Sequence, residues 1–187
     1  MLILASSSPR RQELLKKITK DFIIIVPSVD ERLLDSSIKA KDMALEESRI
    51  KAYEVFSKHP DDEVLASDTI VLLNGKILGK PIDEEDAIRM LKEEQGKKQI
   101  VLSGYTYLSK GKEVSRSVST AVYFNKLSDE QIIDYVKKYQ PFGKAGAYGI
   151  QDEAGLIDHI EGSYYNVMGF PIEDIKKHLP QLGKMLL

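Results

Sequence analysis

Apolar positions recur along the chain with two different periods, and the switches between them divide it into alternating strands and helices. Residues 2–5 form a continuous apolar run that predicts a buried strand. After Ser6-Ser7-Ser8, residues 9–17 predict a helix, with Pro9 in its first turn and Leu14, Leu15 and Ile18 on one face. Residues 22–26 predict a second buried strand. Residues 40–58 place Ala44, Ala52, Val55 and Phe56 among charges as an amphipathic helix, which His59-Pro60-Asp61-Asp62 ends. Residues 64–73 are a third apolar run, and Asn74-Gly75 predicts a tight hairpin back into residues 76–78.

Four acids at residues 83–86 open the next helix, whose buried side is Ala87, Ile88 and Leu91 and whose end is Gly96. Residues 100–108 and 114–124 predict a hairpin across Lys110-Gly111-Lys112, and Ser128 caps a helix to about Tyr139. The Gly-rich stretch 143–149 leads into short strands, and residues 173–187 form a terminal helix interrupted near Pro180. There is no repeat or linker, so strands interleaved with helices predict one α/β domain over residues 1–187, built around a mixed, twisted sheet.

Composition narrows the chemistry. Of 187 residues, 27 are Lys or Arg and 29 are Asp or Glu, so the net charge is 27 − 29 = −2 and any anion site must be local. That balance, with no aromatic-basic stripe, argues against a nucleic-acid partner. The absence of Cys removes thiolate nucleophiles and Cys-based metal sites. No apolar run approaches the roughly 20 residues of a membrane helix, and the short first run is unlike an export signal, so the expected location is cytoplasmic. Six Gly-Lys pairs are followed by Ile77, Pro81, Lys98, Glu113, Ala145 and Met185, none of which completes a P-loop. His59, His159 and His178 are scattered without metal-ligand spacing.

The chemistry gathers elsewhere. Ser6-Ser7-Ser8-Pro9-Arg10-Arg11 joins a strand to a helix start, where backbone N–H groups and two guanidinium forks suit phosphate. Asp68 interrupts the most apolar strand, so it must meet a cation, a metal or a cleft. Asp30-Glu31 follows the second strand, where ligand sites of α/β sheets collect. Lys80 lies in Gly79-Lys80-Pro81 after the hairpin, and Lys51 lies on the long helix among residues that face the sheet. Together Arg10, Arg11, Lys51, Lys80, Glu31 and Asp68 are the mixture that a metal-triphosphate site requires.

Four segments in order resemble the Maf family, the Maf/Ham1-type nucleoside triphosphate pyrophosphatases. They are Ser8-Pro9-Arg10-Arg11 with Glu13-Leu14-Leu15; Asp68-Thr69 followed by Leu78-Gly79-Lys80-Pro81; residues 144–151, Lys-Ala-Gly-Ala-Tyr-Gly-Ile-Gln; and residues 160–167, Ile-Glu-Gly-Ser-Tyr-Tyr-Asn-Val. The ending at Gln151 is similar to the branch acting on dTTP and UTP.

The resemblance implies hydrolysis between the α and β phosphates with a divalent cation, and the carboxylates expected to bind it, as Mg²⁺ or Mn²⁺, directly or through water, are Glu31 and Asp68. It implies Asp68 as general base, with Glu31, Lys51 and Lys80 also catalytic. Ser6, Arg10 and Arg11 then bind phosphate, while Arg10, Thr69 and Gln151 belong to substrate choice. It further implies a long, curved mixed sheet with helices around a central cleft, and a homodimer. Ser67, Ser103 and Gly143 stand where the family commonly has Ala, Thr and Asp. The rival reading is a nucleotide-binding regulator of cell division or septum formation, which needs no water-activating carboxylate.

Overall fold

Leu2, Ile3 and Leu4 have almost no exposed surface because their strand is paired on both sides. In the computed structural model, which describes residues 1–29 and 37–183, this strand β1 (Leu2–Leu4) runs parallel to β2 (Phe22–Ile24) and to β3 (Glu63–Leu73). A strand flanked in this way needs apolar residues on both faces, hence the unbroken run. At Asn74 and Gly75 the backbone takes φ of 51° and 77°, the conformation of a two-residue hairpin turn, and β3 returns antiparallel as β4 (Lys76–Leu78). Strands β5 (Lys98–Ser109) and β6 (Lys112–Phe124) form the second predicted hairpin, and β7 (Ile157–Glu161) pairs antiparallel with β6. The order is β2-β1-β3-β5-β6-β7, with β4 on β3. The mixed sheet with helices is therefore as expected.

Two expectations need correction. The segment at 22–26 is not a buried strand: β2 is terminal in the sheet, and Ile23 and Ile24 are each 44% exposed. A short apolar run does not by itself separate an edge from an interior position. The stretch after Gly143 forms two 3₁₀ turns, Ala145–Ala147 and Ile150–Asp152, before the single strand β7. Gly146 and Ala147 both have positive φ, at 74° and 60°, which no strand accommodates.

The chain divides into two compact units. The first comprises Met1–Thr69, Ser103–Val118 and Gly169–Leu187. Its long helix α2 (Ala40–Lys58) follows α1 (Pro9–Leu15) and buries Ala44, Ser48, Ala52 and Val55, a spacing that keeps one face on the sheet. Ala52 and Val55 pack with Ile3, Ala5, Val64, Ala66 and Leu108. Gly104 on β5 permits a close approach, since a Cβ there would lie 2.4 Å from the Leu45 backbone.

The second unit comprises Ile70–Leu102 and Ser119–Met168. Helix α3 (Glu84–Glu94) is capped by Asp83 and carries its acids in the first turn; α4 (Asp129–Tyr139) has a capping box between Ser128 and Gln131. Their buried faces join Val101, Val122, Phe124 and Tyr148 in one core. The short α5 (Tyr164–Val167) belongs here, while α6 (Ile172–His178) and α7 (Pro180–Gly183) return to the first unit, Pro180 marking the predicted interruption. Among the described residues no helix is long and apolar enough to cross a membrane.

One polar chain runs through the second core. The Tyr148 hydroxyl donates to Gln99 Oε1 at 2.6 Å, and Gln99 Nε2 donates to Glu94 Oε1 at 2.7 Å. Glu94 is fully buried, and its Oε2 has no hydrogen-bond partner among the described residues. Burial pushes this carboxyl well above the usual carboxylate range, against the opposing effect of the Gln99 bond. A raised native value means that the unfolded chain loses this proton first as pH rises, so the stability contributed by Glu94 is complete in acid and declines toward neutrality. Glu94→Gln removes the titration. Its Tm relative to wild type should therefore climb from about pH 4 to about pH 8 in thermal melts, and a pH-independent difference would contradict the assignment.

Candidate active site

The segment leaving β1 is drawn into a tight polar turn. Ser6 accepts the Ser8 N–H at 3.0 Å, and Ser8 in turn caps α1 by accepting the Arg11 N–H at 3.4 Å. Ala5 N–H still bonds to Leu65 O at 2.9 Å, so the turn begins where the parallel pairing of β1 with β3 ends. That is the carboxyl end of parallel strands, where α/β sheets place ligands. A cavity of about 140 Å³ opens there, walled by Ser6, Ser7, Arg11, Lys51 and Ser67, with Val26, Pro27 and Val29 from beyond β2. It is smaller than the roughly 300 Å³ of a whole small-molecule site, so it has room for part of a ligand only. A larger concavity of about 780 Å³ runs beside α3, where Arg89 is already engaged by both Asp86 and Glu93.

Asp68 meets a cation, one of the three outcomes expected for a carboxylate in an apolar strand. Lys51 Nζ on α2 lies 2.8 Å from Asp68 Oδ1, and the two side chains are only 15% and 14% exposed. Arg11 is fixed by a different set of contacts. Its Nε donates to Gly169 O at 2.8 Å and its Nη2 to Thr69 Oγ1 at 3.1 Å, while the Thr69 and Ser103 hydroxyls lie 2.8 Å apart. Gly169 has φ of 110°, open to glycine, and it presents its carbonyl to Arg11 across 158 positions of sequence.

Of the predicted site residues, the structure thus gathers Ser6, Arg11 and Lys51 around one cavity, with Asp68 bound to Lys51 and Thr69 bound to Arg11. Arg10 sits half-buried on α1 but is not among the walls of that cavity. Glu31 lies outside the described residues. Lys80 and Gln151 belong to the second unit, where Gly146 N–H bonds to Gly79 O at 3.1 Å and so ties the Lys80 segment to the loop that carries Gln151. Sequence reading missed the supporting roles of Gly169 and Ser103. The only sequence signs of them were a glycine before Phe170-Pro171 and a small polar residue inside an apolar strand.

The fold is of the Ham1 type. The solved Ham1 protein of Staphylococcus aureus matches with a TM-score of 0.54 at 16% identity, covering 96% of this chain and 98% of that one. The HAM1 protein of Coxiella burnetii matches with a TM-score of 0.53 at 14% identity and the same coverage. The chain belongs to the Maf family, whose model for Maf-like proteins matches residues 1–182. Curated relatives named dTTP/UTP pyrophosphatase include that of Thermococcus gammatolerans, 45% identical over 98% of this chain and 97% of that protein. Others are those of Pyrococcus furiosus, 46% identical over 99% and 96%, and Carboxydothermus hydrogenoformans, 44% identical over 97% and 98%.

Two charges paired in a mostly buried setting depend on each other, so removing both together costs less than the sum of the two single losses. Lys51→Met should therefore lower unfolding free energy by about 3 kcal/mol in urea titrations, and Lys51→Met with Asp68→Asn should recover most of that loss. Additive losses in the double variant would show that the two groups do not support each other.

Proposed function

We propose that this chain hydrolyses dTTP and UTP between the α and β phosphates, releasing the nucleoside monophosphate and pyrophosphate. The observation that carries the reading is the near-full-length likeness, at 42–46% identity, to relatives that bear the name dTTP/UTP pyrophosphatase. The Lys51–Asp68 pair beside that cavity supports it chemically.

Asp68 is the general base. It takes a proton from water as the water oxygen attacks the α phosphorus, and the bridging bond to the β phosphate breaks with pyrophosphate leaving. Lys51 holds the Asp68 carboxylate in place, and the Arg11 guanidinium, itself fixed by Gly169 and Thr69, presents charge to the phosphates. Arg10, Lys80 and Ser6 complete the phosphate contacts in this scheme.

A divalent cation belongs to the same proposal, and the donor chemistry fits it. Among the described residues no three His, Asp or Glu side chains cluster for a metal. Mg²⁺ and Mn²⁺ suit sites with one or two carboxylates in which substrate phosphates and water supply the remaining oxygens, and Asp68 with Glu31 would provide the carboxylates. When bound, the cation neutralises phosphate charge as a Lewis acid.

Base choice is assigned to Gln151, with Arg10 and Thr69. Uracil and thymine carry O4 and N3–H side by side, and one primary amide offers both a donor and an acceptor to them. The proposal also includes a homodimer, checked by light scattering, and a cytoplasmic location.

Purified protein should release UMP or dTMP with pyrophosphate from the matching triphosphate, and chelation should abolish turnover. Formation of the diphosphate with orthophosphate would overturn the bond assignment. Asp68→Asn should keep its fold and nucleotide binding while kcat falls by about two powers of ten or more. Binding of nucleotide by the wild type without any turnover would instead favour a regulatory nucleotide binder.

A further inference from the structure

The loop that carries Gln151 is tied down from two directions. On its inner side, Tyr148 is anchored through Gln99 to Glu94, and a Cβ on Gly146 would come within 2.7 Å of Glu94 Oε1. Gly146 and Ala147 take positive φ in succession, and Ala147 has no exposed surface. A non-glycine residue is held in this conformation only when its surroundings dictate it.

On the other side stands Tyr135 of α4, which is 4% exposed. Its hydroxyl accepts the Gly149 N–H at 3.0 Å and donates to Asp152 Oδ2 at 2.6 Å. Lys144 Nζ lies 3.4 Å from the same carboxylate oxygen, so the residues that begin and follow the 144–151 segment are joined by an ion pair. Burial, reinforced by the Asp152 carboxylate, pushes the Tyr135 hydroxyl up, so it keeps its proton and remains a donor. Gly149 and Asp152 flank Gln151, and both are bound to one tyrosine. The Gln151 side chain itself has no hydrogen-bond partner among the described residues.

We propose that Tyr135, acting with Asp152, is a specificity-positioning residue: it holds the Gly149 backbone on one side of Gln151 and the Asp152 side chain on the other, so that the amide is presented to the base in one orientation. The inference rests on the reading of Gln151 as the base-recognising residue. Its physical content is pre-organisation. A side chain already held in its bound orientation loses less entropy when the ligand arrives, and that gain is confined to ligands able to use the amide. Tyr135 touches no substrate in this scheme, so its removal should change selectivity and leave the chemical step alone.

The test is a cycle between Tyr135→Phe and Gln151→Ala, with kcat and KM measured for UTP, dTTP, CTP and GTP. Phenylalanine keeps the ring and its contact with Tyr139 and removes only the hydroxyl. Tyr135→Phe should raise KM for UTP and dTTP about ten-fold, the scale of one lost hydrogen bond, with kcat within about two-fold and little effect on GTP. In the Gln151→Ala background the same substitution should alter the UTP-to-GTP ratio of kcat/KM by less than about two-fold. Asp152→Asn, which keeps the size of the side chain and removes its charge, should shift the ratio in the same direction and serves if Tyr135→Phe does not fold.

Equal losses on all four nucleotides, or the same loss in both backgrounds, would reduce Tyr135 to a structural support and overturn the inference. Should Gln151→Ala change selectivity while Tyr135→Phe and Asp152→Asn do not, the inference fails and the role of Gln151 stands. Should Gln151→Ala leave selectivity intact, the base-reading role falls and the inference falls with it.

Discussion

Placing a carboxylate inside the apolar strand β3 constrains the whole of the first unit. Asp68 follows four buried residues, Val64 to Ser67, and in that setting an isolated charge would cost several kcal/mol. Lys51 answers it only if α2 lies close enough to the sheet for its ammonium to reach β3. That approach is secured elsewhere: Gly104 has no side chain to hold Leu45 away, and the Ser48 hydroxyl meets that of Thr106 at 2.8 Å. Ser67, immediately before Asp68, donates to Gly104 O at 2.9 Å. The backbone contact, the two hydroxyl bonds and the ion pair are therefore parts of one geometric requirement. Well-packed apolar residues would serve stability at least as well as a buried ion pair does, which directs attention to what the carboxylate can do chemically.

The second unit solves a related problem with neutral groups. Its loop at residues 144–151 has to keep two residues at positive φ, and it does so over a buried chain of Tyr148, Gln99 and Glu94 in which the last carboxyl has an oxygen without a hydrogen-bond partner among the described residues. Such a chain is less forgiving than an apolar core, because loss of any one member strands the others. Polar groups in both units are thus concentrated next to the segments assigned to chemistry. The remaining core combines aliphatic side chains, from Leu2 and Leu15 to Ile132 and Ile175, with the fully buried rings of Tyr105 and Phe170.

Local signals were readable along the sequence, and distant ones were not. The Asn74-Gly75 turn, the Ser128 cap and the need of Asp68 for a cation, a metal or a cleft all follow from residues within a few positions of each other. The apolar run at β2 was readable as a strand, but its place at the end of the sheet depends on which strands choose to pair. The contacts that orient Arg11 come from positions 58 and 158 residues away, and Tyr135 reaches Asp152 from another element. No periodicity records such pairs. Family resemblance supplied Thr69, Gln151 and the role of Asp68, while the groups that hold them had to come from the three-dimensional arrangement.

The division of labour between Asp68 and Thr69 is decided by register. Successive residues of a strand project to opposite sides, so Asp68 can reach Lys51 on α2 while Thr69 reaches Arg11 and Gly169. Sliding β3 by one residue would exchange those two directions and break both sets of contacts at once. What prevents the slide is the pairing of Leu2, Ile3 and Leu4 with Glu63, Val64 and Leu65, extended by the bond from Ala5 N–H to Leu65 O. Ile3, Leu4, Val64 and Leu65 have no exposed surface, and a slip would force all four to repack against new neighbours in a close-packed interior. The residues that set Asp68 toward one face and Thr69 toward the other are therefore mostly aliphatic, and of this pairing only Ala5 lines the cavity.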